Sequence, residues 1–215
     1  MSKAEFERPD AFNQMLETFL SSVRTRIFES TGASYPAWRY AADVLRRIQE
    51  LAKNGLDNID LIDFLAWLNY YHRKDFTTRW SKLTDEQKRA VLNTIIHEFA
   101  QRGLSSLLGE IAYDVALLVN SVLLGHRELE NLAKEVKEQV LKASMDFING
   151  KTDFNSIMKA IAPLYNESAD GKRKLEDGVF LASFLDTQEL KELVKESLLD
   201  NLKSWFDYMM IAKKK

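Results

Sequence analysis

The sequence predicts an all-α protein, an irregular bundle of about eight to ten helices around one apolar helix near residues 104–124. Three observations lead to this prediction. Apolar residues recur at three- and four-residue steps through most of the chain, which is the period of a helix. No segment shows the alternation of apolar and polar residues that is typical of a half-buried strand. The 215 residues include only 8 glycines and 3 prolines, too few for the many turns of an all-β protein.

The segment 104–124 is the most apolar stretch of the chain, and we expect it to be buried. Its apolar residues cover nearly the whole circumference of a helix, which is typical of a core element. The segment is also long enough to cross a bilayer. Glu110 and Asp114 argue against crossing, because an acidic residue at mid-membrane costs about 3 kcal/mol. We therefore expect no membrane association.

Start and stop signals predict five helices before the central one. Proline suits the first turn of a helix, Asp, Asn, Ser and Thr cap its start, and Gly or Asn follows its end. Thr84 and Gln87 have the spacing of a capping box. The predicted starts are Pro9, Pro36, Asp57 or Asn58, Lys74 and Thr84, and the predicted ends are Gly32, Asn54-Gly55, Tyr71, Ser81 and Gly103.

Four helices are predicted after the central one, beyond a break at Gly125. The first has an apolar seam of alternating four- and three-residue steps, which indicates packing against another helix. The predicted segments are 126–148, Thr152 to Pro163, 179–185, and Asp186 or Thr187 to about Ala212, with a loop or hinge at 165–174.

A chain of this length can form a single core, so we predict one domain over 1–215. The alternative is two sub-domains, 1–103 and 104–215, which differ in composition. Ten of the twelve Arg residues precede residue 104, whereas the second part is rich in Lys and Glu. Guanidinium groups make forked contacts with phosphate or carboxylate and stack on aromatic rings. The first part is therefore the better candidate for a recognition surface.

Several classes of chemistry lack the residues that they need. The chain has no Cys, which excludes disulfides and thiolate sites, and its three His have no metal-ligand spacing. Phosphate-binding glycine loops and serine nucleophile motifs are also absent from the sequence. We expect no cofactor, no catalytic residue and no metal, and the sequence favours a protein that is not an enzyme. The absence of Cys and of an apolar N-terminal run favours a cytoplasmic location.

An acidic stripe in the segment 104–124 is the basis of the third-ranked functional prediction. Glu110 and Asp114 lie one turn apart, and the segment is superficially similar to one acidic element of the helical nucleotide pyrophosphohydrolases of the dimeric dUTPase kind. That resemblance implies Mg²⁺-dependent nucleotide hydrolysis. The acidic spacing here is four rather than three, and no Glu-x-x-Glu precedes it. The alternatives for the stripe are a partner helix that carries Arg or Lys, or solvent between two helices.

Two clusters, at residues 38–47 and 70–82, combine aromatic and basic residues. They are the basis of the second-ranked functional prediction. Single-stranded nucleic acid is bound by basic grooves with aromatic stacking platforms. A net charge of −2 and the position of Trp38 in an apolar stripe argue against this function. The candidate residues for nucleic-acid or acidic-partner binding are Arg39, Arg46, Arg47, Arg73, Lys74, Arg79, Trp80 and Lys82.

The leading prediction is a non-enzymatic interaction or assembly protein, a subunit of a complex or homo-oligomer. Amphipathic helices are abundant, and large side chains crowd the end of the last helix. Aromatic residues and Met are enriched at protein interfaces. The candidate interface residues are Trp205, Phe206, Met209 and Met210.

Overall fold

The computed structural model describes residues 9–29, 35–69 and 73–212. Their secondary structure is helical, with no strand among the described residues, and 85% of the chain is in helices. The prediction of an all-α, multi-helix bundle with a long apolar helix is therefore confirmed. The chain divides into two compact units, Met1–Ala100 and Gln101–Lys215.

Among the residues that the structure describes, the first unit contains four helices and the start of a fifth. Its interior is filled by large apolar side chains, including the nearly inaccessible rings of Trp38, Trp80 and Phe99. Arg24 on the first helix donates from Nε to Glu98 Oε1 at 2.7 Å. The helices are α1 (Pro9–Glu29), α2 (Ala37–Ala52), α3 (Ile59–Leu68), α4 (Arg73–Trp80) and α5 (Asp85–Leu123).

The second unit contains the rest of α5 and the helices that follow it. The side chains of Leu104, Leu108, Ile111 and Val115 on α5 are fully buried. Its other elements are the 3₁₀ turn Arg127–Leu129, α6 (Glu130–Ile148), α7 (Phe154–Tyr165), α8 (Ala169–Ala182), α9 (Thr187–Leu193), the π-helical segment Val194–Leu199 and α10 (Asp200–Ala212). The last three elements run on without a break and form the C-terminal helix.

Several predicted boundaries are confirmed by the hydrogen bonds at the helix ends. Asn58 caps α3 by accepting from the Asp60 amide at 2.8 Å. Thr84 and Gln87 form both bonds of the predicted capping box before α5. The helices are interrupted at Gly55, Gly125 and Gly150, which adopt a positive φ. The predicted ends at Gly32 and Tyr71 lie outside the described residues.

The predicted helix end at Gly103 is wrong, because α5 passes through it. A glycine commonly ends a helix by adopting a positive φ, and Gly103 does not. In a helix interior, glycine costs about 1 kcal/mol relative to alanine. The neighbouring side chains Ala100 and Leu104 are fully buried. Burial of the apolar side chains on both sides offsets the unfavourable propensity.

The predicted loop or hinge at 165–174 is also wrong in its second half, because α8 already begins at Ala169. Ser168 caps this helix by accepting from the Gly171 amide at 2.9 Å. The preceding helix begins after an Asp153 cap instead of the predicted Thr152 cap. That helix also continues through Pro163, since a proline in the last turn removes only one backbone bond.

By length and composition, α5 could cross a membrane. Its most apolar 18-residue window has a mean hydropathy of 1.4, and 44% of that window is buried within the chain. Core helices of soluble proteins have the same length and composition. The expectation of no membrane association therefore stays a prediction.

Candidate functional site

Within the second unit, α5 and the C-terminal helix run parallel and in a regular register. Ser105 Oγ and Ser197 Oγ lie 3.0 Å apart. Four residues farther along each helix, Gly109 faces Asn201, and after another four the rings of Tyr113 and Trp205 meet edge to face at 5.6 Å. Both rings of this aromatic pair are partly exposed, Tyr113 by 45% and Trp205 by 40%.

Beyond this aromatic pair lies an apolar groove of about 290 Å³. We name it the α5–α10 groove. One wall is formed by Tyr113, Ala116, Leu117, Asn120, Leu123 and Leu124. The other wall is formed by Trp205, Tyr208, Met209 and Ala212. No lining side chain carries a formal charge at neutral pH.

The groove is open to solvent along side chains that are usually buried in proteins. Leu124 is 76% exposed and Tyr208 is 67% exposed. Tyr113, Leu117 and Trp205 are each at least 40% exposed. Contiguous apolar patches of this kind, as opposed to single exposed residues, commonly mark interaction sites.

The α10 helix has a broad apolar side that is only partly covered. Its charged residues Asp200, Lys203 and Asp207 fall on the other side at helical spacing. Leu202 is its fully buried side chain, whereas Met210 and Ile211 are more than 60% exposed.

The structure separates the four candidate interface residues. Trp205 and Met209 line the α5–α10 groove. Phe206 is half-buried, and Lys137 Nζ on α6 lies 4.5 Å from the centre of its ring. Met210 is exposed outside the groove lining. Sequence analysis did not predict the wall contributed by α5, because the apolar residues all round 104–124 indicate burial and do not indicate where burial is incomplete.

The acidic stripe on α5 faces a basic side chain on α8. Lys174 Nζ donates to Glu110 Oε1 at 2.8 Å and to Asp114 Oδ2 at 3.2 Å. Lys174 itself is almost fully buried. The alternative of a partner helix that carries Arg or Lys is thereby confirmed. The Lys174 ammonium lies at the position that a cation bound by the two carboxylates would take. Its ion pairs with Glu110 and Asp114 link α8 to α5.

Tyr165 completes this polar cluster. Its hydroxyl donates to Asp114 Oδ2, and Lys174 Nζ lies 4.6 Å from the centre of its ring. Burial raises the pKa of Tyr165 above its ordinary value, and the neighbouring Asp114 carboxylate raises it further. Both effects disfavour the phenolate, so the hydroxyl keeps its proton and continues to donate.

Replacing Tyr165 with phenylalanine should lower the free energy of unfolding by about 1–2 kcal/mol near pH 7, because Asp114 loses a hydrogen bond. The folded protein holds the Tyr165 proton more tightly than the unfolded chain does. The stability from this group is therefore present below about pH 10 and is lost as the pH rises above it. In urea denaturation from pH 7 to 11, the difference in free energy of unfolding between the wild type and Tyr165→Phe should become smaller above pH 10.

Tyr208→Phe is the matched control, since this hydroxyl belongs to an exposed side chain. We expect its effect at pH 7 to stay within about 0.5 kcal/mol. A Tyr165→Phe protein as stable as the wild type at pH 7 would contradict the role given to this hydroxyl.

Three of the candidate nucleic-acid residues in the first unit lie within local ion pairs. Arg46 lies 3.8 Å from Asp43, Arg47 lies 2.9 Å from Glu50, and Arg79 lies 4.0 Å from Asp75. Local pairs of this kind partly neutralise the charge that would attract phosphate.

Two aromatic residues of these clusters, Trp38 and Trp80, are buried. Trp80 is 1% exposed and donates from Nε1 to the Leu56 carbonyl at 3.0 Å. Arg39 lies 5.3 Å from the centre of the buried Trp38 ring, and Lys82 is half-buried. The side chains of Arg73 and Lys74 lie outside the described part of the chain. Nucleic-acid binding by this unit stays a prediction.

Comparisons of the chain with protein-family models, with curated proteins and with solved structures returned no match. Among the described residues, no group of three or more His, Cys, Asp or Glu is placed to hold a metal ion. The α5–α10 groove is an open apolar surface whose lining side chains carry no formal charge.

Proposed function

We propose that this protein is a helical assembly protein and that the α5–α10 groove binds an apolar helix of another folded chain. The observation that carries the proposal is the uncovered groove itself, with its apolar, uncharged lining. Helices that dock in grooves present apolar side chains at three- and four-residue steps. A partner of this chemistry matches both the shape and the composition of the site.

The geometry of the groove suits a helix. Two helices that run side by side leave a furrow between them, and the side-chain ridge of a third helix can pack into such a furrow. The contacts of Ser105 with Ser197 and of Tyr113 with Trp205 place α5 and the C-terminal helix side by side up to the point where the groove begins. A ridge of Leu, Met or aromatic side chains on a third helix would match the apolar walls beyond that point.

The residues that line the groove are suited to binding a protein partner rather than to catalysis. Trp and Tyr are enriched among the interface residues whose truncation costs most affinity, and Trp205, Tyr208 and Tyr113 are all present here. Binding and catalytic pockets for small molecules combine apolar walls with a few convergent polar groups. Here the polar groups of the lining side chains are the Asn120 amide, the hydroxyls of two tyrosines and the indole N–H of Trp205, and none of them is a carboxylate, an imidazole or an amine.

Site-specific photo-crosslinking should detect the partner chain. A photoreactive amino acid in place of Leu117, which is 44% exposed on the α5 wall, should form a cross-link to protein in living cells that express the full chain. The same amino acid in place of Lys142, an exposed residue of α6, should form at least tenfold less. The readout is the intact mass of each cross-linked product.

A substitution that disfavours binding in the groove supplies the second control. Adding Tyr208→Glu to the Leu117 photoreactive variant should abolish the cross-link, because a carboxylate would be buried without a partner when the groove is filled. Equal cross-linking at positions 117 and 142, or no protein cross-link at 117, would overturn the proposed function.

A further inference from the structure

We infer that the π-helical segment Val194–Leu199 is a switch that opens and closes the α5–α10 groove. In the structure, this segment holds α10 in the rotation that leaves the groove open. Its conversion to regular α-helix would turn α10 by about 100° and remove one wall of the groove. The inference rests on the proposed function and concerns the regulation of the same site.

The π-helical segment contains about one residue more than an α-helix with the same number of turns. The Asp200 amide at its end donates to the Lys195 carbonyl, five residues earlier instead of four. The Ser197 carbonyl accepts a further hydrogen bond from Asn201 Nδ2 at 2.7 Å. Single π turns inside α-helices are rare and are frequently found at functional sites. This one directly precedes α10, which forms one wall of the groove.

The extra residue keeps the buried side of the C-terminal helix in line. Leu190, Val194 and Leu202 are all buried. Each residue of an α-helix advances by about 100°, so in a regular helix Leu202 would lie about 80° from Val194 and about 120° from Leu190. With one residue absorbed by the π turn, Leu202 lies within about 20° of both. The π-helical segment therefore determines which side of α10 is covered.

A second apolar stripe of α10 would be covered if the whole helix were regular. Trp205, Tyr208 and Ala212 follow each other at three- and four-residue steps. In a regular helix all three would lie within about 40° of Val194, on the side that is buried in the structure. In the structure they instead line the groove, and Tyr208 is 67% exposed. The sequence of α10 thus contains two apolar stripes, and each rotation covers one of them.

The charged residues of α10 are compatible with both rotations. In the structure Asp200, Lys203 and Asp207 are exposed, between about 80° and 140° around the helix from Val194. In a regular helix each would lie at least about 120° from Val194, so none would face the covered side. Both rotations cover an apolar stripe and leave the same charges in solvent. An element with two such packed arrangements can act as a switch.

The two rotations have opposite consequences for the groove. In the open rotation, which the structure shows, Trp205 and Tyr208 line the groove beside α5. In the closed rotation both rings turn toward the covered side of α10, and the groove loses their wall. A partner helix that binds only the open rotation shifts the population toward it. The switch therefore couples the rotation of α10 to assembly.

Distances between two spin labels in the full chain test the switch. The sequence has no Cys, so cysteines introduced for labelling are the only ones. The label pair is Asp207→Cys on α10 with Lys142→Cys on α6, and both positions are exposed. A rotation of about 100° moves the label at 207 by about 8 Å, given a helix radius of about 5–6 Å. Double electron–electron resonance should therefore show two distance populations, and Lys134→Cys provides a second reference direction.

Two changes assign the populations. Lys195 is an exposed residue of the π-helical segment, and its deletion removes the extra residue while the buried stripe stays in line. Only the open distance should then remain. Leu202→Ala weakens only the stripe that the open rotation covers, so it should raise the closed population at least threefold. The two changes together should again give the open distance alone.

Deletion of Glu138 is the matched control. Glu138 is also exposed and charged, but it lies in the regular helix α6 between the buried residues Val136 and Val140. Its deletion turns the two halves of the buried seam about 100° apart and should lower the thermal midpoint by at least about 10 °C. Deletion of Lys195 should leave the circular dichroism unchanged and the midpoint within about 3 °C of the wild type. Equal losses for the two deletions would overturn the assignment of an extra residue.

The remaining outcomes separate the switch from the proposed function. A single distance that Leu202→Ala leaves unchanged overturns the switch, as does a closed population that persists after deletion of Lys195. Neither result affects the proposed function, which the Leu117 cross-link tests. The Lys195 deletion should keep that cross-link at the wild-type level or above, and its loss in this variant alone overturns the switch. Without a cross-link in either protein the proposed function fails, and the distances still report whether α10 rotates.

Discussion

Replacing Leu108 with alanine should lower the free energy of unfolding by about 2–5 kcal/mol. Leu108 is fully buried on α5, among fully buried neighbours such as Leu104 and Ile111. The shorter side chain loses the transfer free energy of three carbon atoms and leaves a cavity that the surrounding helices close only partly. Chemical denaturation followed by circular dichroism measures the loss.

Met145→Ala is the control for this prediction. Met145 is 44% exposed on α6 and lies outside the groove lining, so little apolar surface is returned to water when it is shortened. We expect a change within about 0.5 kcal/mol. If Leu108→Ala cost as little as Met145→Ala, α5 would not be the central element of the second unit.

The second large effect is expected at a glycine. Gly171 lies in the first turn of α8, and a Cβ atom built there would come within 2.8 Å of the Tyr165 Cα atom. The clash is with backbone, which cannot rotate away as a flexible side chain can. Gly171→Ala should therefore cost about 1–3 kcal/mol or more, because the turn between α7 and α8 has to shift.

Gly109→Ala should have the opposite sign. Gly109 is also helical, but the nearest atom to its added Cβ is Asn201 Nδ2 at 3.8 Å, an ordinary contact distance. Alanine in a helix interior is more favourable than glycine by about 1 kcal/mol, so this variant should be more stable than the wild type. Denaturation midpoints of both variants provide the measurement. A Gly171→Ala protein that is as stable as Gly109→Ala would show that α8 is not packed against Tyr165.

Local sequence patterns were sufficient to predict the helices and most of their ends. Apolar period and capping are local properties, so the Thr84–Gln87 box, the Asn58 cap and the glycine break at Gly125 could be predicted from a few neighbouring residues. The errors at Gly103 and at 165–174 have a common cause. In both places a local signal for a break is outweighed by contacts with distant residues, such as that of Lys174 with Glu110.

Part of the candidate site was also predictable. Trp205 and Met209 were recognised from the density of large side chains near the end of the last helix, and both line the groove. Phe206 was predicted at the interface for the same reason, but its ring lies against Lys137 of α6. Sequence spacing does not show which side of a helix a neighbouring helix covers. The α5 wall was missed because residues that are apolar all round indicate burial and do not indicate where burial is incomplete.

The placement of α5 beside the C-terminal helix could not be predicted from local patterns. The contacts of Ser105 with Ser197 and of Tyr113 with Trp205 join residues 92 positions apart, far beyond the range of any helical period. Helical period and capping act over one or two turns, so they do not determine which two helices meet. The groove exists only where these two distant segments lie side by side in the folded chain.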